Sequence, residues 1–300
     1  MARILTTFFV LALLFCGSEH KSSAQADNHR IAPIAFISDQ TGHPQIYVME
    51  ADGEIRKLTS NGLYKSDLRV SPDGSQIFYS GGETQFADTW LVRVQVDGSG
   101  ERVVAYTKQG FTSFALSPNG EEIAFSSDKG IVIFNSEQRE SRRVFLAAGA
   151  YVTVESWSPD GSRILYVSDQ DGAQQLYTMN VDGSDIVQLT FTSAENSYST
   201  CGDWSPDGQS IAFHSGESLI TSDIYTISVD GTHRQRLTET GMRANCPRWS
   251  SDGAEILFFT FQFDEWKPRI YVMAADGANA EHLGAGESPD WLSWQLGEDD

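Results

Sequence analysis

Trp157-Ser158-Pro159-Asp160-Gly161, continued by strand-like runs at 163–168 and 175–181 and closed by Leu189-Thr190, is the stretch from which the rest of the chain is read. Ser-Pro-Asp-Gly places in succession a residue of fixed φ, a side chain that caps the turn and a glycine free to take positive φ. That order makes a tight reversal. Arg-Ile-Leu-Tyr-Val-Ser and Gln-Leu-Tyr-Thr-Met-Asn-Val have strand composition, and the Asp182-Gly183 that follows is a strong hairpin signal. The stretch therefore predicts strand, turn, strand, loop, strand, hairpin, strand. A single four-stranded sheet of this kind cannot cover its own faces, so it needs copies.

The copies are present. Ser-Pro-Asp-Gly or a near relative starts at Ser71, Ser117, Ser158, Ser205 and Ser250, a period in the forties. Asp-Gly recurs at Asp52-Gly53, Asp97-Gly98, Asp230-Gly231 and Asp276-Gly277, with Ser136-Glu137 in the slot of the third unit. Six units of four strands are the mark of a β-propeller. The first unit, from Ile31, has no opening Trp-Ser-Pro-Asp-Gly segment, whereas Ser288-Pro289-Asp290-Trp291 matches Cys246-Pro247-Arg248-Trp249 and has no strands after it. The expected architecture is all-β: a six-bladed β-propeller with four antiparallel strands per blade, its ring closed by the C-terminal segment pairing into the first blade. Closure of that kind removes exposed sheet edges. The propeller is expected over residues 31–296, with a linker at 27–30 and an acidic tail at 297–300.

The repeated pattern Trp-Ser-Pro-Asp-Gly, Ile-Ala-Phe, Ile-Tyr-x-Met-x-x-Asp-Gly and Leu-Thr resembles the TolB-type propeller repeat, of the WD40-like Pro-Asp kind, of bacterial envelope proteins. Residues 34–59, 157–190, 204–238 and 249–283 carry it best. The resemblance implies an envelope protein that works by binding. TolB itself carries an α/β domain ahead of its propeller, and the expectation for this chain is a propeller without it. One fold hosts many activities, so the site must be argued from its residues.

Composition narrows the partners. The formal net charge of −20 repels nucleic acid and anionic lipid headgroups. Arg3, the apolar run 4–15 and a polar tract ending in Ala24-Gln25-Ala26 read as an export signal over residues 1–26. The alternative is a lipoprotein signal ending before Cys16, which would leave a lipid anchor on that cysteine. No apolar run beyond it reaches the ~20 residues of a membrane span. The expected location is periplasmic or secreted, and the expected state is a monomer.

Repeat geometry sorts the loops by face. The Ser-Pro-Asp-Gly and Asp-Gly turns share one face and are uniform, while loops between second and third strands vary and share the other, where a binding site is expected. Three residues before each Trp slot, near the channel mouth on that face, stand Asp67, Ser113, Val154, Cys201, Cys246 and Ser288. Cys201 and Cys246 occupy equivalent slots in adjacent units, and in an exported protein such a pair suggests a disulfide; two buried thiols are the other reading. One residue before the slot stand Arg69, Ala115, Ser156, Asp203, Arg248 and Asp290, whose alternating signs could grip a polar ligand or form ion pairs between blades. Tyr198, where unit five begins, and Arg243, just before unit six, complete the binding set. Loop residues His214, Phe263 and Trp266 are further contact candidates, since aromatic side chains are enriched at interface hot spots.

Catalytic signals are thin. There is no Gly-x-Ser-x-Gly elbow, no His-x-x-x-His pair and no phosphate-cradling glycine loop. The expectation is a non-catalytic module that binds an envelope protein, peptide or glycan and needs no cofactor. A metal-assisted carbohydrate lyase or hydrolase at the channel mouth, using a divalent cation, is the alternative.

Overall fold

Two side-chain devices recur with the repeat and define where its strands begin and end. In each Ser-Pro-Asp-Gly turn the serine hydroxyl donates to the Asp or Asn two residues on, at 2.5–2.7 Å, from Ser71, Ser117, Ser158, Ser205 and Ser250. The same hydroxyl accepts the N–H of the first residue of the following strand at 2.9 Å. The turn glycine, for example Gly161 at φ 71°, takes the left-handed conformation that a side chain would resist. At the other end of the unit the threonine of Leu-Thr caps the third strand: Thr59, Thr190 and Thr238 accept the N–H of Ile46, Leu176 and Ile224 at 2.9–3.0 Å. Their hydroxyls donate in turn to Gln45, Gln175 and Asp223.

The computed structural model describes residues 32–83, 89–107, 113–127, 130–135, 138, 140–145, 150–191, 197–218, 221–239, 241, 243–261 and 267–292. Unit one gives β1 (Ile34–Ser38), β2 (Gln45–Met49) and β3 (Ile55–Lys57). Unit two gives β4 (Tyr64–Val70), β5 (Gln76–Gly82), β6 (Thr89–Gln95) and β7 (Arg102–Thr107). Unit three gives β8 (Phe114–Leu116), β9 (Glu122–Ser127), β10 (Gly130–Asn135) and β11 (Glu140–Phe145). Unit four gives β12 (Val152–Trp157), β13 (Arg163–Ser168), β14 (Gln175–Asn180) and β15 (Val187–Gln188). Unit five gives β16 (Tyr198–Trp204), β17 (Ser210–Ser218), β18 (Thr221–Ser228) and β19 (Gln235–Arg236). Unit six gives β20 (Arg243–Trp249), β21 (Glu255–Phe261), β22 (Pro268–Ala274) and β23 (Glu281–Ala285), and β24 (Glu287–Trp291) ends the described chain.

Within every unit the strands pair antiparallel with their sequence neighbours, and β24 pairs antiparallel with β1, Ile34 opposite Trp291. The molecule is an all-β propeller of four-stranded antiparallel sheets. Six separate sheets are not what the hydrogen bonds draw, however. Four sheets have four strands each, while β16–β18 and β20–β23 form one path of seven strands that, with β19 attached to β18, makes an eight-stranded sheet. The join is a single parallel bridge, Ser222 opposite Arg243, between a third strand of one unit and the first strand of the next. A second difference concerns residues 214–223, expected as a loop. Strands β17 and β18 extend until Ser218 pairs with Thr221, so His214 lies inside a strand and is buried.

β1 and β2 are buried at every residue, without the in–out alternation of a half-exposed sheet. Both faces of these sheets are covered by neighbours. Ala35, Ile46 and Val48 pack on Leu68, Ile77 and Val94. On the opposite face Phe36 and Tyr47 pack on Leu257 and Ile270. Comparable clusters join units two and three, three and four, four and five, and five and six. The repeated tryptophans fill these seams; Trp157 and Trp291 are buried and donate their indole N–H to the carbonyls of Ala115 and Arg248 in the adjacent unit. The outer strands β3, β19 and β23 face solvent.

Replacing Thr190 by Val keeps the shape but leaves the buried Leu176 N–H without its acceptor, a loss of about 1–3 kcal/mol. Thr190→Val should lower the urea midpoint by a corresponding amount, with Thr190→Ser close to wild type; an unchanged midpoint for Thr190→Val would show that the cap is not stabilising.

Candidate functional site

The innermost strands carry a break in register at a common place. Pairing shifts between Lys65 and Asp67, Val154 and Ser156, Thr200 and Asp203, Asn245 and Arg248, and in β1 opposite β24. Three bulge residues, Cys201, Cys246 and Ser288, have φ of 52°, 45° and 49°. Left-handed backbone in a non-glycine residue costs about 1–2 kcal/mol, and bulges re-aim side chains. Here they turn Ser66, Glu155, Cys201, Cys246 and Ser288 toward one cavity of about 270 Å³. Tyr151 and Gln174, from the loops on that face, complete its rim. A wider bowl of about 950 Å³ opens among the Ser-Pro-Asp-Gly turns. Arg69, Glu155 and Arg248 line both, so they stand between the mouth and the bowl.

These side chains form a buried charged cluster. Arg69 Nη1 donates to Asp67 Oδ1 at 2.5 Å. The carboxylates one residue before the Trp slot cap the next unit: Asp203 Oδ2 accepts the Trp249 N–H at 2.9 Å, and Asp290 Oδ2 accepts the Val70 N–H at 2.8 Å. Thr153 Oγ1 donates to Glu155 Oε1 at 2.8 Å. Burial pushes the Glu155 carboxyl up to about 7, against its hydrogen bond from Thr153 and the charges of Arg248 and Arg69. Burial likewise pushes Asp290 up to about 6, opposed by the same two guanidinium groups, and raises Asp203. Arg248 is lowered by burial and by the Arg69 charge. Burial also opposes the Arg69 cation, but Asp67, Asp290, Glu155 and Asp203 outweigh it and hold Arg69 above its ordinary range. Asp67 Oδ2, shielded from solvent at the mouth, has no hydrogen-bond partner.

Beside the mouth, Cys201 and Cys246 are joined by a disulfide with their Cα atoms 4.8 Å apart. His214 packs behind them. Its Nδ1 accepts the Cys246 N–H at 3.2 Å, its Nε2 lies 2.9 Å from Thr200 Oγ1, and the Tyr198 ring meets it edge-on at 5.6 Å. Burial pushes the imidazole down to about 3, with the Arg243 charge adding to the effect.

The structure thus brings Asp67, Arg69 and Arg248 to the mouth, turns Asp203 and Asp290 toward the bowl, and buries Tyr198 and His214 in the wall. Arg243 sits at the bridge between β18 and β20. Phe263 and Trp266 lie outside the described residues. Glu155 was missed, yet its signal was present: it occupies the slot held elsewhere by Leu68, Phe114, Gly202, Pro247 and Pro289, where no other unit has an ionisable group. Tyr151, Thr153, Gln174 and Thr200 had no comparable signal, because only the bulges and the packing of inner strands from different units bring them to one place.

Fold and site together define a β-propeller of four-stranded antiparallel sheets with a polar channel mouth. A family model for the TolB beta propeller domain matches residues 112–218. An uncharacterised protein of Agrobacterium fabrum is 29% identical over 148 residues, 45% of this chain and 49% of that protein. The protein TolB homolog of Chlorobium luteolum is 27% identical over 156 residues, 49% of this chain and 34% of that protein. These matches span half or less of the relatives' own length. The crystal structure of TolB from Acinetobacter baumannii has a TM-score of 0.73 at 20% identity, covering 87% of this chain and 66% of that chain. That of oligogalacturonate lyase from Vibrio parahaemolyticus has a TM-score of 0.57 at 17% identity, covering 84% and 74%. Both structures are likenesses of fold. The chain is a TolB-like β-propeller protein.

The Glu155 carboxyl ordinarily titrates near 4.5 and here near 7, so between those values the folded protein holds a proton that the unfolded chain releases. Stability therefore falls as pH rises through that window, the reverse of a salt-bridged carboxylate. Glu155→Gln should gain on wild type across the same window, by roughly 1 kcal/mol or more at its upper end. Urea midpoints of both proteins from acid to neutral pH would measure it, and parallel curves would refute the buried, proton-holding carboxyl.

Proposed function

We propose that this chain is an exported, non-catalytic binding propeller that engages a protein, peptide or glycan partner of the bacterial envelope at its channel mouth. Residues 1–26 serve as the export signal, with lipidation at Cys16 as the other processing route, and the mature protein is a periplasmic or secreted monomer. Among the described residues, no helix is long and apolar enough to cross a membrane. In this reading the eight-stranded sheet is two blades touching at one bridge, and six blades form a ring closed by β24 on β1. Apolar clusters between every pair of successive units support that count.

The observation that carries the function is the mouth itself. Its cavity is walled by hydroxyl, amide and charged groups from several units, and its rim carries the half-exposed Tyr151. A small concave site with a few convergent polar groups suits an extended chain or sugar better than a broad flat contact. Among the described residues the histidines do not converge on the mouth in a catalytic arrangement.

Cross-linking in native envelopes with wild type and a Tyr151→Ala/Gln174→Ala variant tests the proposal. One specific partner should be captured, with at least about tenfold weaker binding for the variant, as expected for loss of about 1.4 kcal/mol at a contact site. Equal capture by both proteins would place the binding surface elsewhere, and turnover of an oligosaccharide by the purified protein would replace the reading with the enzymatic one.

A further inference from the structure

Cys201, His214 and Cys246 are the group, among the described residues, whose sulfur and imidazole atoms all lie within 4.8 Å of one another. A disulfide uses two of these groups, and the third, His214, is fixed beside them by its bonds to the Cys246 N–H and Thr200. We propose that the group is a two-state site: a disulfide when oxidised, and after reduction a Cys2His site for a divalent metal of the zinc class. This does not depend on what the channel mouth binds.

The placement of the three side chains supports both states. The cysteines stand on left-handed bulge residues of adjacent inner strands, and both line the mouth cavity, so a small dithiol can reach the bond from solvent. His214 comes from the second strand of unit five and is held by two contacts that settle its tautomer. A backbone amide can only donate, so the Cys246 N–H makes His214 Nδ1 the acceptor. Nε2 therefore carries the proton and donates it to Thr200 Oγ1. A ligating imidazole is normally oriented in this way, one nitrogen donating to a fixed partner while the other gives its lone pair to the metal. In the oxidised state the single Nδ1 lone pair accepts the Cys246 N–H, so the metal would take the place of that hydrogen bond. Two thiolates and one imidazole are a donor set that selects zinc over the hard cations calcium and magnesium, and three protein ligands leave a fourth position for water or a partner group.

The chemistry balances with a dithiol as the named reductant. A thiolate of the dithiol attacks one sulfur of the bond, a mixed disulfide forms, and its second thiol closes to the dithiol's own disulfide. Two electrons and two protons pass to Cys201 and Cys246. Metal binding then displaces two protons from the thiols and none from the neutral imidazole. A small disulfide is the oxidant for the return: one cysteine thiolate attacks it, the other closes the Cys201–Cys246 bond, the two electrons leave on the small thiols and the metal is released.

Cobalt(II) is the probe, because thiolate ligation gives it an intense near-ultraviolet charge-transfer absorption. The full chain carrying Cys16→Ser would be prepared oxidised and, separately, reduced with a phosphine and desalted without oxygen. The reduced protein should take up one equivalent of cobalt with that absorption, and zinc should displace it; the oxidised protein should show neither. Thr200→Val, which leaves the ligands in place but removes the hydroxyl that orients His214, should weaken zinc binding about 10–100-fold. His214→Ala should weaken it further, and Cys201→Ser should abolish the absorption. The proposal is overturned if the reduced, folded chain gives no thiolate absorption, or if the Thr200→Val and His214→Ala proteins bind like the parent. Loss of the circular-dichroism signal on reduction would overturn it as well, since the bond would then be a cross-link on which the fold depends.

Discussion

A sheet whose two faces are both apolar can be satisfied only between two other sheets, and this constraint governs the whole molecule. β1 and β2 show no exposed face at all, because Leu68 and Ile77 cover one side and Leu257 and Ile270 the other. At roughly 25 cal/mol per Å² of apolar surface, the seams are the dominant stabilising term. They also set the direction of growth: each unit needs a neighbour, and the first needs the last. The pairing of β24 with β1 answers that need by bringing the C-terminal segment to the N-terminal sheet.

Covering the faces leaves the innermost strands around the mouth and the bowl, with charged side chains such as Glu155, Arg248 and Asp290 buried between them. Polar groups placed there must find partners in the protein. Asp203 and Asp290 do so by accepting the main-chain N–H of the following unit's inner strand, and Trp157 and Trp291 do so by donating to carbonyls of the preceding one. The ring of charges seen in the sequence is thus a set of joints between units before it is anything else. A buried ion pair is weak evidence for stability in itself, but removing one member strands the other. Arg69 and Arg248 among four carboxyl groups are such a case, and burial raises the Glu155 and Asp290 carboxyls against the pull of those two guanidinium groups.

The mouth is built differently. Its groups come from bulges, where the ladder is interrupted and side chains are turned off the regular alternation. Strained backbone at Cys201, Cys246 and Ser288 persists because the flanking strands hold it in place, and such strain concentrates where a side chain must be presented. The turns of the opposite face also hold left-handed non-glycine residues, Asp185, His233 and Asn279, each just after an Asp-Gly pair, but there the serine and aspartate side chains satisfy their own turns.

Much of the architecture was legible because it is local and repeated. Ser158 and Asp160 specify their turn through bonds between residues two to five apart, and Thr190 caps a strand fourteen residues before it. A pattern read in one unit could be checked against the others. The join of β18 to β20 and the extension of β17 through His214 had no such local signature, since both depend on how neighbouring units meet. The site divides in the same way. The sequence by itself determined which residue types occupy the inner slots, including the two cysteines and the alternating charges, because slot position follows from the repeat period. Only the tertiary structure decided that Glu155, Thr200 and Tyr151 belong with them and that His214 backs the cysteine pair. Those contacts join residues from different units through bulged backbone, and no period in the sequence encodes a distance between units.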